Sequence, residues 1–319
     1  MHYLVTGGAG FIGSHLCERL IQDTHSLVCL DNFNDYYDPD IKRRNIQSLI
    51  SNPHFQLVRG DILDWPLLQN LFKERVFDAV IHLAARAGVR PSIENPKLYQ
   101  KVNIEGTVNL LDLSVQYKTP KFILASTSSV YGNNKKVPFS EDDPVDFPIS
   151  PYAATKKACE LIAHTYYAIH GLAVTGLRFF TVYGPRQRPD MAIHKFTHLI
   201  ENGQPVPFFG DGSTQRDYTY IDDIIDGIIQ AVSYCQGYRI YNLGESQTIQ
   251  LQNLISLIEK HLGKKAVLNK LPLQPGDVLK TYADISRARK EIGYAPQVSI
   301  ENGIPKFVSW YRDLQEAEE

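Results

Sequence analysis

The chain has only four cysteines in 319 residues. Cys17, Cys29, Cys159 and Cys235 lie far apart and form no C-x-x-C pair. This argues against a disulfide frame or a zinc site, and for reduced, mostly buried thiols in a reducing compartment. No apolar run approaches the ~18 residues needed to cross a bilayer. The first residues enter a strand pattern at once (His2-Tyr3-Leu4-Val5), without a signal-peptide layout, so a cytoplasmic protein is expected. Neither sign of charge dominates: 33 Lys+Arg face 35 Asp+Glu, a formal net charge of −2. Such a balance carries no electrostatic footprint for nucleic acid or an anionic membrane, and an anionic ligand has to be met by locally placed cations. The ten histidines show no ligand spacing, so no metal is expected. Internal repeats and low-complexity tracts are also missing.

What is present is ordinary globular composition, 43% hydrophobic and 21% charged, in a chain long enough for one large α/β domain and a smaller lobe. Short apolar runs at Tyr3–Thr6, Leu27–Leu30, Phe55–Arg59, Ala79–Leu83, Phe122–Ala125 and Val174–Leu177 alternate with segments of helical period. That alternation predicts a doubly wound, mostly parallel sheet covered on both faces, with the ligand crevice at the carboxyl ends of its strands. From about residue 185 the pattern changes. Pro and Gly punctuate it, and helical stretches such as Leu251–Leu262 and Ile300–Leu314 are separated by loops. The expected division is a dinucleotide-binding Rossmann domain over 1–185, with a return of about 221–245 to it left open. Residues 186–319 then form mainly a smaller C-terminal α/β substrate lobe.

The segment Gly7-Gly8-Ala9-Gly10-Phe11-Ile12-Gly13 follows the first strand and opens a helix. Glycines at 7, 10 and 13 suit a tight turn, close approach of backbone to a pyrophosphate, and close helix–sheet packing. About 20 residues on, Asp31 ends the second strand. Its carboxylate can accept both adenosine ribose hydroxyls and would repel a 2′-phosphate, which favours NAD over NADP. Asp61-Ile62, ending the third strand, suits an adenine contact, and the small Ala84 and Ala85 after the fourth leave room for the cofactor.

Tyr152-Ala153-Ala154-Thr155-Lys156 reads as helix, which puts Tyr152 and Lys156 one turn apart on one face. A free phenol, with a pKa of about 10, is a poor base near neutrality. A nearby ammonium and a positive nicotinamide ring both favour the phenolate. Lys156 can also hold the nicotinamide ribose. Ser126-Thr127-Ser128-Ser129 closes a strong apolar strand and delivers hydroxyls to the same crevice, with Thr127 the candidate to hydrogen-bond the reacting oxygen. His82, inside an apolar strand, is read as a core histidine.

Together the Gly-rich turn, the Ser126–Ser129 strand end and the Tyr152/Lys156 pair resemble the extended short-chain dehydrogenase/reductase family over nearly the whole chain. Within it the sequence is most similar to the UDP-glucuronate 4-epimerases. The stretches that carry this are Ala84–Arg90, Pro138–Asp146, Leu177–Pro185, Arg188–Ala192, Arg216–Asp223 and Gln274–Val278. The resemblance implies bound NAD, a UDP-sugar substrate, no nucleic-acid or membrane partner, and a homodimer. The dimer would pair helices near 97–117 and 152–170, with Leu161, Ile162 and Tyr166 compatible equally with that face and with the intrachain core. It adds Asn32, Leu83, Asn103, Ser126 and Phe179 to the cofactor set. To the substrate it assigns Arg216 for the diphosphate, Arg188 in a loop over uridine, Asp277 on ribose hydroxyls, and Thr181 where galactose-type epimerases often carry asparagine. Arg90 is open between the sugar carboxylate and a structural ion pair. Leu273-Gln274 stands where many relatives carry an arginine.

Dehydratases of the family carry Asp-Glu after the threonine, and decarboxylases usually a Glu. Ser128 and Ser129 stand here instead and have no useful acidity near neutral pH. The expectation is reversible C4 epimerisation of UDP-glucuronate to UDP-galacturonate through a 4-keto sugar. Decarboxylation of UDP-glucuronate and 4-epimerisation of a neutral UDP-sugar are the enzymatic rivals. A nonenzymatic NAD sensor is the rival from another class, and the retained Tyr–Lys pair speaks against it.

Overall fold

The computed structural model describes residues 1–272 and 278–318. Strand β1 (His2–Thr6) leads into α1 (Phe11–Gln22), and the alternation continues through β2 (Ser26–Asp31), α2 (Pro39–Ile46), β3 (Phe55–Arg59), α3 (Trp65–Glu74) and β4 (Ala79–His82). Helices α4 (Val89–Glu94) and α5 (Pro96–Tyr99), a π-helical stretch (Gln100–Glu105) and α6 (Gly106–Gln116) then lead to β5 (Lys121–Thr127), α7 (Pro151–His170) and β6 (Ala173–Phe179). The second half holds β7 (Thr181–Tyr183), α8 (Ala192–Glu201), β8 (Pro205–Phe209), β9 (Gln215–Arg216), β10 (Tyr218–Tyr220), α9 (Ile221–Ser233) and β11 (Tyr238–Leu243). It closes with β12 (Ile249–Gln250), α10 (Leu251–Leu262), β13 (Val267–Leu271), α11 (Ser286–Ile292) and α12 (Ile300–Glu318).

Seven strands form one sheet in the order β11-β6-β5-β4-β1-β2-β3. Every pairing in it is parallel. The sequence predicts this: a strand covered on both faces must be apolar at successive positions, and β1 buries Tyr3 and Val5 in one core cluster and Leu4 in the other. The order reverses beside β1, and the crevice of a doubly wound sheet opens at that point. Strand β11 pairs with β6, and α9 packs against α1, β5 and β6. The core cluster on that face continues without a break into the C-terminal half, through Phe196, Val206, Ile255 and Phe307. Three two-stranded sheets, β10-β7, β12-β9 and β13-β8, shape the smaller lobe.

The helix expected near 97–117 is present as one unbroken run from Pro96 to Gln116, with the π-helical stretch between α5 and α6. At Gly106, where α6 starts, a Cβ would stand 2.4 Å from Ile62 Cδ1. Strand β5 runs two residues past Ala125, so Ser126 and Thr127 belong to the strand itself.

Candidate active site

The turn after β1 is built for close contact. Gly7 has φ +70°, and a Cβ on it would lie 2.8 Å from the Ala84 amide nitrogen. A Cβ on Gly13 would lie 2.2 Å from the Gly7 carbonyl oxygen. Gly10 begins α1 without any side-chain cap, so the first amides of that helix face the cleft unmet by protein oxygen. A cradle that Cβ atoms would fill, at an uncapped helix start, fits a dinucleotide pyrophosphate. The cleft holds about 530 Å³ and is lined by Gly7, Gly10, Phe11, Ile12 and Gly13. Asp31, Asn32, Asp61, Ile62, Leu83, Ala84, Ala85, Ser126 and Phe179 line it as well.

Asp31 is held by backbone, its Oδ2 accepting from Ala9 N at 3.1 Å and its Oδ1 from Phe33 N at 2.9 Å. Burial pushes this carboxyl up, while those two amides and the Lys42 ammonium oppose the shift. Asp61 accepts from Asn32 Nδ2 at 2.7 Å, which joins the ends of β2 and β3. Asn103 does not line the cleft. Its side chain is spent on Arg86 and Thr155, with Nδ2 donating to Arg86 O and to Thr155 Oγ1 and Oδ1 accepting from Arg86 N. These bonds tie Asn103 to the Arg86 loop and to α7. Asp277 lies outside the described residues.

Tyr152, Lys156, Thr127, Ser128, Ser129, Thr181 and Arg188 line the far end of the same cleft. Ser150 caps α7, accepting from Ala153 N at 3.2 Å, and Pro151 follows at the first helical position. The helix start is thereby fixed immediately before Tyr152. Burial pushes the Tyr152 phenol up, and a hydrogen bond with Thr127 and the charge of Arg188 pull it down. Arg188, which the resemblance places over uridine, adds its charge beside the phenol. Lys156 is 4% exposed and donates to Ala125 O at 2.8 Å, so its ammonium faces the strand. Burial pushes it down, opposed by Cys159 and Glu160.

The two substrate arginines assigned together are separated. Arg188 sits in the cleft, bidentate to Asp190 (2.9 and 2.9 Å) and over the Tyr36 ring at 5.4 Å. Arg216 and Arg90 line two further cavities of about 460 and 220 Å³. Arg90 stacks over Phe209 at 5.3 Å. Ser128, Ser129 and Thr181 line both the cleft and the larger of these cavities, so the two spaces meet at a wall of hydroxyls. His82 is a neutral core group between Thr6 Oγ1 (2.7 Å) and Thr107 Oγ1 (3.0 Å), pushed down to about 3 by burial and then by Lys156. All four cysteines are buried and free.

Sequence reasoning missed Lys42, Arg86 and Tyr36. All three line the cleft, and Lys42 is 4% exposed, donating to Asn34 O at 3.0 Å. Nothing in local spacing marks them, because their place depends on how the loops after β2 and β4 fold over the crevice. Among the described residues no group of three His, Cys, Asp or Glu could hold a metal, and no helix is long and apolar enough to cross a membrane.

Residues 4–307 match the protein family described as GDP-mannose 4,6 dehydratase. The chain is 47% identical to UDP-glucuronate 4-epimerase 1 of Arabidopsis thaliana, over 97% of this chain and 76% of that protein. It is 44% identical to a UDP-glucuronate 4-epimerase of Thermodesulfobacterium geofontis, over 98% and 96% of the two chains. Among solved structures, the UDP-glucuronic acid 4-epimerase of Bacillus cereus, in complex with UDP-glucuronic acid and NAD, superposes with a TM-score of 0.93. Its sequence is 40% identical, over 98% of this chain and 100% of that one.

Proposed function

Because the chain belongs to the GDP-mannose 4,6-dehydratase type of extended short-chain dehydrogenases/reductases, we propose that it is an NAD-dependent 4-epimerase that interconverts UDP-glucuronate and UDP-galacturonate. The observation that carries this is the junction of the two spaces. There the Tyr152 phenol, hydrogen-bonded to Thr127, stands in one cleft with a dinucleotide cradle and a wall of hydroxyls where carboxylates would serve dehydration. Bound NAD would supply a reversible hydride acceptor for sugar C4. Gly7, Gly10, Gly13 and the start of α1 would hold its pyrophosphate, Asp31 its adenosine ribose and Lys156 its nicotinamide ribose. Lys42 and Arg86 would face its anionic centre.

Tyr152 accepts the proton of the C4 hydroxyl, and Thr127 hydrogen-bonds the same oxygen. When the sugar returns, Tyr152 gives the proton back. Epimerisation needs a firm grip on the uridine diphosphate and a loose one on the ring. Arg216 and Arg90 beyond the hydroxyl wall suit the diphosphate, and the smaller cavity lined by Pro207, Phe209 and Tyr218 suits the base. Arg188, one-fifth exposed beside Tyr152, is better placed for the sugar end than for uridine. Ser128, Ser129 and Thr181 would hold the sugar carboxylate near the plane of the C4 ketone, where the bond to CO2 overlaps poorly with the carbonyl.

Incubating the purified protein with UDP-glucuronate, without added NAD, and resolving the products tests the reading. UDP-galacturonate is expected; a UDP-pentose as main product, or conversion of UDP-glucose alone, would overturn it. The NAD-binding part is taken as residues 1–185 with 221–245, and the rest as the substrate lobe. A homodimer through α6 and α7 is part of the proposal, supported by Leu161 and Ile169, which are 58% and 73% exposed on α7. A monomeric mass in light scattering would count against it. The buried free thiols support work in a reducing, cytoplasmic compartment.

A further inference from the structure

Helix α7 meets the end of β5 in three successive rungs. Tyr152, Lys156 and Glu160 follow one another at one-turn intervals along the helix, and their partners are three consecutive strand residues. Thr127 meets Tyr152, Ala125 O accepts from Lys156 at 2.8 Å, and Ser126 Oγ donates to Glu160 Oε1 at 2.6 Å. The first two rungs belong to the chemistry already described. The third is 1% exposed, and nothing in the reaction uses it.

Glu160 is itself held. Arg178 on β6 donates to its Oε1 through Nε at 2.9 Å and to its Oε2 through Nη2 at 2.8 Å. Arg178 Nη1 also donates to the Tyr131 hydroxyl at 3.0 Å, which donates to Asn242 Oδ1 on β11 at 2.7 Å. Asn242 Nδ2 in turn donates to Phe139 O and Asp284 O. The other titratable groups around the carboxylate are Lys157 at 3.5 Å, Lys156 one turn away, the neighbouring Cys159, and Tyr238, whose hydroxyl donates to Glu160 O.

A buried ion pair is weak evidence for stability, because the desolvation of two charges offsets their attraction. Its geometry is another matter. Apolar packing along a helix tolerates small slides, whereas a two-pronged arginine grip allows a single register. An error of about 1 Å at reacting atoms can cost on the order of 100-fold in rate.

We propose that Glu160, clamped by Arg178, is a positioning residue that sets the register of α7 on β5 and so places Tyr152 and Lys156 over the reaction site. This rests on the reading of Tyr152 as the base. Its carboxylate also supports the Lys156 ammonium against burial. Removing that charge therefore moves the alkaline limb of the rate profile to lower pH, which a scaffold role alone would not do.

The experiment compares the NAD-loaded parent with Glu160→Gln, the double variant Glu160→Gln/Arg178→Met, and Ser126→Ala. The expected result for Glu160→Gln is kcat lowered roughly 10- to 100-fold, KM for UDP-glucuronate within about twofold, bound NAD retained, and the alkaline limb shifted down. The double variant removes both charges of the Glu160–Arg178 pair, so its melting temperature exceeds that of Glu160→Gln while its kcat does not recover. If Glu160→Gln fails to fold, the double variant decides, and if that also fails, Ser126→Ala decides with an expected several-fold loss in kcat. Parent-level kcat and an unmoved pH limb in the deciding variant would overturn the proposal. A parent inactive on UDP-glucuronate, or a fully active Tyr152→Phe, would sink the functional reading instead.

Discussion

At Tyr152 the phenol, Thr127 and the Arg188 charge converge, and burial outweighs the other two and pushes the hydroxyl up. Replacing it by Phe removes the proton acceptor and little volume. The expected outcome is a kcat loss of about 10²- to 10⁴-fold with bound NAD retained, read by steady-state assay and by absorbance of the purified protein. At Ser128 and Ser129 the expected effect is on product, not only on rate. The Ser128→Ala/Ser129→Ala double variant should release more pentose product and CO2 than the parent, resolved by chromatography of UDP-sugars. A pentose fraction equal to the parent's would falsify the carboxylate-holding role. Tyr152, Lys156 and Thr127 were legible in the sequence because helix spacing and a strand end fix their relation within a few residues. The roles of Arg188 and Lys42 were not, since each depends on a loop folding back over the crevice.

At the scale of elements, the turn from β1 into α1 decides whether the cofactor is kept. A Cβ at Gly13 would meet the Gly7 carbonyl oxygen at 2.2 Å and Gly8 Cα at 2.7 Å, both backbone atoms that cannot yield cheaply. Gly13→Ala should therefore purify with little NAD and melt earlier than the parent. Full NAD occupancy in that variant would mean the turn tolerates what its geometry forbids. Strand and helix identities were readable here from period and glycine spacing, and β3 and α10 fall on their expected residues. The π-helical stretch within the 97–117 helix was not readable from period or propensity; there Asn103 donates to Arg86 O and Gly106 packs on Ile62.

At the scale of the whole molecule, the sheet order follows from strand–helix alternation and right-handed crossovers. The smaller lobe does not, since its short strands pair across long sequence distances. A half-buried carboxyl just after β11 bears on the pH dependence. Among the described residues Glu245 Oε2 has no hydrogen-bond partner, and burial, reinforced by Asp223 and Asp217, pushes the carboxyl up to about 8. A carboxyl raised in the folded state binds more protons there than in the unfolded chain, so stability falls as pH rises through the interval from the ordinary value to about 8. Glu245→Gln should flatten that slope and raise Tm at pH 8 by about 2 °C, checked by calorimetry at pH 6 and pH 8. An equal pH slope in parent and variant would show the group titrates normally.

The most direct measurement follows a deuterium label at C4 of UDP-glucuronate through turnover, with no NAD added. Retention of the label at C4 of the UDP-galacturonate formed is expected, because the hydride would leave and return within one cleft while Tyr152 handles only the hydroxyl proton. Loss of the label to water during epimerisation would contradict this chemistry.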